Sequence, residues 1–421
     1  MKETVQHAPS CNDDFDPSSI SVDAARSHIQ KNITPITGTE KLAIRSCLNR
    51  VLAADIQSPV QVPAHTNSAM DGYAIAGTDL PTENARKYKV IGTAFAGIPY
   101  TGNCQPGQVV RIMTGAAIPE GCDTVIMQEH IEILDDEHIA VGSGHKSGQN
   151  VRYAGEDIEV GSTVLTHGKR IMPADLGVLA SLGIGEAKAY RRPRVAFFST
   201  GDELCSIGEM LGEGQIYDSN RYSLYGMLKT MHVDILDLGV IRDTPDSIRE
   251  AMLSAAAMAD VIITSGGVSV GEADHIKPIL ESLGAMHFWK VAMKPGRPLT
   301  FGKINNSHFF GLPGNPVSAM VTFYQFIQPA LHTLSNAQPQ PPVTLRATCT
   351  TTLKKRPGRC EFQRGIYQQA ADGTLTVGKT GEQGSGILTS MSQANCFIIL
   401  PVESSGAEVG EQVEIQLFDT L

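Results

Sequence analysis

Between residues 194 and 335, short apolar runs alternate with stretches in which apolar residues recur every three or four positions. RVAFFST (194 to 200), HVDILDLG (232 to 239) and VIITSGG (261 to 267) are apolar enough to be strands buried in a sheet. Arg221 to Met231 and Thr244 to Ala259 between them have helical spacing, the second capped by Thr244 with Pro245 in its first turn. Strands separated by helices of that length join through right-handed crossovers into a parallel sheet with helices on both faces. The pattern therefore predicts an α/β domain over residues 191 to 338. No Asp, Glu, Lys or Arg occurs between Lys303 and Arg346, but Asn315, Gln325, Gln328, Pro329 and His332 break the apolar run. This stretch reads as a helix buried in a water-soluble domain and not as a membrane span.

Elsewhere the pattern changes character. Ser21 to Ala54 is mostly helical in spacing, with Ser21 as cap. Residues 58 to 154 show short β-rich runs, QVVRIM (108 to 113) and DTVIMQ (123 to 128), punctuated by Gly and Pro, and predict a small inserted β domain. Helical spacing returns in IMPADLGVLASLGI (171 to 184), so residues 20 to 57 and 155 to 190 are expected to rejoin as one discontinuous domain. The connector AQPQPP (337 to 342) leads into a β-rich domain over 339 to 421. Residues 1 to 19 are polar, include Asp13, Asp14 and Asp16, and predict a disordered tail without an apolar leader. The predicted fold class is α/β plus β: a central parallel-sheet domain, an inserted small β domain and a C-terminal β domain.

Composition narrows the function. At 42% hydrophobic and 19% charged residues, the 421-residue chain is a folded, water-soluble protein and neither fibrous nor disordered as a whole. Its formal charge of −10 opposes a phosphate-backbone partner, so nucleic acid is not expected. The eight cysteines form no CxxC pair, which removes the usual zinc and thioredoxin-type readings and leaves idle thiols in a reducing cytosol. The cytoplasm is the expected compartment, with no membrane partner.

Ligands of an open parallel sheet bind at the carboxyl ends of its strands, so the residues after each strand are where chemistry is sought. Glu203 follows the first run, Asp243 the second and Asp274 the third. Each acid alone is explained as the cap of a following helix. Three together repel one another unless a cation lies between them, and carboxylate oxygens are what Mg²⁺ prefers when it also bridges phosphates. Gly266, Gly267 and Ser269 supply N–H groups and a hydroxyl suited to an anion, although a simple tight turn explains the glycines equally well. Pro313, Gly314 and Asn315 form a second cradle before a helix beginning at Pro316, with Asn315 able to cap it. Lys290 and Lys294 flank Met293 in an apolar stretch; they either meet an anion or snorkel from a hairpin. Asp71, Thr114 and Asp157 sit in polar turns of the inserted domain and its border. The Thr264 to Ser269 run matches neither the Walker pattern nor GxGxxG with its downstream acid, so neither an ATPase nor a nicotinamide enzyme is indicated; no HExxH pair occurs, and covalent catalysis is not the reading.

NSAMDGYA (67 to 74), RIMTGA (111 to 116), GED (155 to 157), STGDEL (199 to 204), SGGVSVGEAD (265 to 274), KPGRP (294 to 298) and GLPGNPVS (311 to 318) resemble the molybdopterin molybdenumtransferases, the bacterial MoeA family akin to the gephyrin E domain. The resemblance runs in order from about residue 20 to the C-terminus. It implies a homodimer of four-domain subunits whose active site is shared between subunits. It also implies an enzyme of molybdenum cofactor biosynthesis that takes molybdate and adenylylated molybdopterin and hydrolyses the adenylate with Mg²⁺, giving molybdenum cofactor and AMP. On the family pattern, Glu203, Asp243 and Asp274 would hold the metal, and Gly266, Gly267 and Ser269 the phosphate. Lys290 and Lys294 would face anions; Lys294, Arg364 and Ser385 would bind molybdate; Asp71, Thr114 and Asp157 would reach in from the partner. Transient contacts with the adenylyltransferase upstream and with cofactor acceptors are implied as well. Arg297 stands where lysine is common in the family. Two rival readings keep the same fold: a scaffold that uses the pocket for assembly, and the adenylyltransferase itself. The intact acids argue against the first and the additional domains against the second.

Overall fold

A computed structural model of the chain describes residues 19–266, 276–338 and 341–418. The chain divides into two compact units, one made of residues up to Glu40, Asn49–Val51 and Tyr190 onward, the other of Lys41–Leu48 and Leu52–Ala189.

In the first unit, the apolar runs form a six-stranded sheet of β1 (Arg194–Thr200), β2 (Asp234–Ile241), β3 (Val261–Ser265), β4 (Met286–Lys290), β5 (Pro298–Ile304) and β6 (Ser307–Leu312). The order is β2-β1-β3-β6-β5-β4. β2, β1, β3 and β6 are parallel, as the alternation with helices predicts, whereas β5 and β4 are antiparallel additions at one edge. Those two strands follow one another without a crossover helix, which only an antiparallel pairing permits. One face of the sheet, with Val195, Phe197, Ile263 and Phe310, packs against helices α1 (Val22–Asn32) and α2 (Ser219–Thr230); the other, with Ala196, Phe198 and Phe309, packs against α3 (Pro245–Met258) and α4 (Ile276–Leu283).

Local chemistry fixes the helix ends. Ser21 Oγ accepts from Ala24 N at 3.1 Å, and Thr244 Oγ1 accepts from Ser247 N at 3.4 Å ahead of Pro245. The helical reading of Ser21 to Ala54 holds only as far as Asn32. Beyond it the chain is mostly extended, broken by a short turn at Ile44–Cys47 that runs into Asn49 with φ 62°, because Pro35 disfavours helix at the residue before it and β-branched residues surround it. The uncharged stretch is helical over Pro316–Thr322, widens into a π-turn over Phe323–Ile327, and resumes as Gln328–Leu334. Pro329 has no N–H to give the Gln325 carbonyl four residues earlier; that carbonyl accepts instead from Arg26 Nε of α1 at 3.0 Å. The polar residue that interrupts the pattern is thus a buried contact between helices.

The C-terminal strands curl into a closed ring. Cys360–Gln369, Leu375–Lys379, Thr344–Cys349, Gln412–Leu417 and Cys396–Leu400 pair in that order, and the last returns to pair with the first, so no edge is left within the ring. Ala347, Val377, Ile398 and Ile415 fill its interior. Met293–Lys294 adds to the outside of Cys360–Gln369.

The second unit holds a six-stranded sheet ordered Thr124–Met127, Gly72–Ile75, Gln108–Ile112, Arg86–Ala94, His138–Val141, Ile131–Ile133. QVVRIM and DTVIMQ are strands in it, as predicted. A separate small core gathers Cys47, Leu52, Leu165, Ile171, Leu179 and Ala187 around the helix Pro173–Ser181. Among the described residues, no helix is long and apolar enough to cross a membrane.

Candidate functional site

The four parallel strands bring their carboxyl ends to one edge. Ser199 of β1 lies opposite Ser265 of β3, which lies opposite Leu312 of β6, and Thr200 lies opposite Ile241 of β2. Thr200 Oγ1 and Asp243 Oδ1 are 3.2 Å apart, so the hydroxyl at the tip of β1 donates to the carboxylate that follows β2. The chain turns at Gly201 with φ +151°, and a Cβ there would come within 2.5 Å of Glu203 Oε2, so the Glu203 carboxylate folds back over the tip of β1. Gly266 has φ +91°, and a Cβ on it would meet the Thr200 carbonyl oxygen at 2.5 Å. The turn after β3 is therefore pressed against the end of β1 in a way only glycine permits. Gly314, after β6, lies beside Gly266, a Cβ on the former falling 3.9 Å from Gly266 Cα.

Glu203, Asp243, Gly266 and Gly314 thus share one edge of the sheet. Gly267, Ser269 and Asp274 lie outside the described residues. Among the described residues, no three His, Cys, Asp or Glu side chains are grouped to hold a metal ion. Two oxygen donors of the kind Mg²⁺ prefers are at the edge, and a third acid follows β3 in sequence. The donor chemistry fits that ion.

A second group of predicted residues meets where the ring packs on the helix that begins at Pro316. Asn315 occupies the N-cap position, but its side chain does not close the cap. Val317 N donates to Ser385 O at 3.1 Å, which holds the Gly384–Gly386 turn against this first helical turn, next to Pro313 and Gly314. Arg364 is only 1% exposed, with Nε donating to Ser390 Oγ at 3.0 Å and Nη2 to Gly384 O at 3.1 Å. Burial pulls its pKa down to about 10, so it is still a cation at neutral pH. Lys294 pairs with Glu361 at 3.1 Å, and Gln363 Nε2 donates to the other oxygen of that carboxylate at 3.0 Å. Side chains alternate along Cys360–Gln369, so Glu361, paired with Lys294 of the neighbouring Met293–Lys294 strand, and Arg364 start from opposite faces of the sheet, and Lys294 and Arg364 are not brought together. Lys290 is the last residue of β4, half-buried, and its carbonyl accepts from Ile20 N.

In the second unit, Thr114 donates both its N–H and its hydroxyl to Asp71 Oδ1, each at 2.7 Å. The backbone N–H first, and then the hydroxyl, hold the Asp71 carboxyl below its usual pKa. Asp157 is exposed in the turn where its N–H donates to Val62 O at 3.1 Å.

Sequence reasoning did not single out Asp218 and Asn220, which enter α2 beside this edge. Asn220 Nδ2 donates to Ser265 Oγ at 2.8 Å and to Gly314 O at 2.7 Å, tying the turns after β3 and β6 together. The only local signal is a polar triplet before a helix, which reads as an ordinary cap.

Three family models match the chain in order: the MoeA N-terminal region (domains I and II) over residues 20–183, a "probable molybdopterin binding domain" over 196–333, and the MoeA C-terminal region (domain IV) over 346–418. A molybdopterin molybdenumtransferase of Haemophilus influenzae is 44% identical over 403 residues, covering 96% of this chain and 99% of that one. One from Bacillus subtilis is 35% identical, with 90% of each chain covered. The crystal structure of a molybdopterin biosynthesis MoeA protein from Pyrococcus horikoshii superposes with a TM-score of 0.83 at 29% identity, over 95% of this chain and all of that one.

Proposed function

Since the chain belongs to the molybdopterin molybdenumtransferase family, whose members act in molybdenum cofactor biosynthesis by inserting molybdenum, we propose that it takes molybdate and adenylylated molybdopterin and hydrolyses the adenylate with Mg²⁺, yielding molybdenum cofactor and AMP. The observation that supports this most is the meeting of Asp243, Thr200, Glu203 and Gly266 at one sheet edge. Two carboxylates beside a glycine turn suit a phosphoanhydride that is bound together with a divalent metal.

In this reading Glu203, Asp243 and Asp274 hold Mg²⁺, and the Thr200 hydroxyl keeps Asp243 oriented. Bound there, the metal supplies positive charge to the anhydride oxygens. Gly266, Gly267 and Ser269 hold the phosphate, with Pro313, Gly314 and Asn315 closing the cradle from the β6 side. Water attacks the adenylyl phosphorus, the bond to the molybdopterin phosphate oxygen breaks, and AMP leaves with the added oxygen. Positioning and charge neutralisation carry the rate, since no side chain is needed as a covalent nucleophile. Arg364, Ser385 and Lys294 receive molybdate, and Lys290 faces the anionic ligand. Molybdate is a small dianion, and a buried guanidinium matches it better than water does. For Lys294 the reading requires its ammonium to leave Glu361 and turn to the oxyanion.

Asp71, Thr114 and Asp157 act from the partner subunit of a homodimer, completing the site in trans. The upstream adenylyltransferase and downstream cofactor acceptors make transient contacts, and the cytoplasm is the compartment. The test is adenylate hydrolysis by purified protein freed of metal with EDTA and then titrated with Mg²⁺. AMP release should be absent without metal, return on titration, and fall at least 100-fold in Asp243→Asn. AMP release that is independent of metal would contradict the reading.

A further inference from the structure

The edge described above has a corner whose chemistry is opposite to that of an anion cradle. Asp218 is 4% exposed; its Oδ1 accepts from Arg221 N at 3.1 Å and caps α2, while its Oδ2 is buried without a hydrogen-bond partner. Asn220 is 8% exposed; its Nδ2 is engaged by Ser265 and Gly314, and its Oδ1 is buried without a partner. Ser199, 1% exposed and on the same face of the sheet as Ser265, also has an unpartnered Oγ. Buried oxygens without donors are costly and rare in folded proteins, so their concentration at one end of a helix beside a ligand-binding edge points to a ligand that brings donors.

Phosphate and molybdate cannot be that ligand, because at neutral pH both offer mainly acceptor oxygens, which a carboxylate repels. A pterin can. Its pyrimidinone ring presents a ring N–H and an adjacent amino group, two donors side by side. Adenine has a single amino group flanked by acceptor nitrogens, a poorer match to two oxygens. We propose that Asp218 and Asn220 form the subsite that reads the donor edge of the pterin ring. The proposal rests on the function argued above and deepens it: it places the pterin at the start of α2, with the phosphates extending toward Gly266. Asn220 then has two jobs, since the amide that offers an oxygen to the pterin also ties together the turns after β3 and β6.

Asp218→Asn is the informative variant. Asparagine caps a helix as well as aspartate does, so α2 is preserved while an acceptor is replaced by a competing donor. By calorimetric titration of the full chain, the Kd for molybdopterin should rise at least tenfold, while that for AMP changes less than twofold and the melting temperature is unchanged. Equal losses for both ligands, a loss confined to AMP, no loss for either, or a shifted Mg²⁺ midpoint with intact molybdopterin affinity would each overturn the assignment. A comparison on the unmodified chain needs no variant: 6-hydroxymethylpterin should bind at least tenfold tighter than 6-hydroxymethyllumazine, which lacks the amino group. Equal binding of the two overturns the subsite. If the unmodified chain binds no molybdopterin at all, the functional reading falls and the subsite falls with it; the Asp218→Asn comparison therefore separates the two failures.

Discussion

Asp71 and Thr114 are 43 residues apart in sequence, yet one carboxylate oxygen accepts two hydrogen bonds from a single threonine. Both bonds favour the ionised form, so the folded pKa lies below the ordinary value of 3.8. The sign follows: the stabilisation is fully present above the ordinary value and is lost as pH falls through the depressed folded one. Thr114→Val keeps the backbone donor and removes the hydroxyl, so the Asp71 midpoint should rise toward 3.8 while staying below it, as read by NMR titration of its carboxyl carbon. An unmoved midpoint would mean that the hydroxyl contributes nothing. Arg364 presents the opposite case, a cation almost fully buried among Ser390 and Gly384. Arg364→Met should weaken molybdate binding at least tenfold, and the comparison with Arg364→Lys checks the role of the fork. Lysine restores charge but not two-point geometry, so only partial recovery is expected. Full recovery would show that charge alone matters.

Strands and helices of the first unit were legible wherever neighbouring residues carried the signal. RVAFFST announced β1 because a run of apolar residues buried on both faces has few other uses, and Thr244-Pro245 announced α3 because cap and first turn are adjacent. Asp243 was legible as a residue of the sheet edge from its position after a strand, a rule of parallel sheets that needs no contact information. Asn220 was not, because its meaning lies in Ser265 and Gly314, 45 and 94 residues away. Gln325 was read as a break in an apolar helix, whereas it is a contact for Arg26, 299 residues distant. Ser21 to Ala54 was over-read as helix, since Pro35 outweighs the spacing that precedes it. Two predictions belong to these elements. Thr244→Ala should destabilise by about 1 kcal/mol in chemical denaturation, the usual worth of a cap. Gly266→Ala should cost roughly 1–3 kcal/mol, because the added Cβ meets the Thr200 carbonyl at 2.5 Å in a left-handed backbone conformation. It should also abolish AMP release even at temperatures where the variant remains folded. A fully active Gly266→Ala would remove the close approach from the account.

At the scale of the whole molecule, the fold class was readable because each segment keeps its own periodicity: alternating strands and helices in 194–335, short β runs in 58–154, and β-rich sequence after the Pro-rich connector. The π-turn at Phe323–Ile327 and the closure of the C-terminal strands into a ring were not readable, since both depend on pairings that local pattern does not encode. The central claim concerns coupling, in which one metal-dependent hydrolysis accompanies each molybdenum inserted. Its most direct measurement is the ratio of AMP released to molybdenum cofactor formed by purified protein given Mg²⁺, adenylylated molybdopterin and molybdate. The account predicts one AMP per cofactor and loss of both products together in Asp243→Asn; cofactor formed without AMP, or AMP release that persists undiminished in Asp243→Asn, would contradict it.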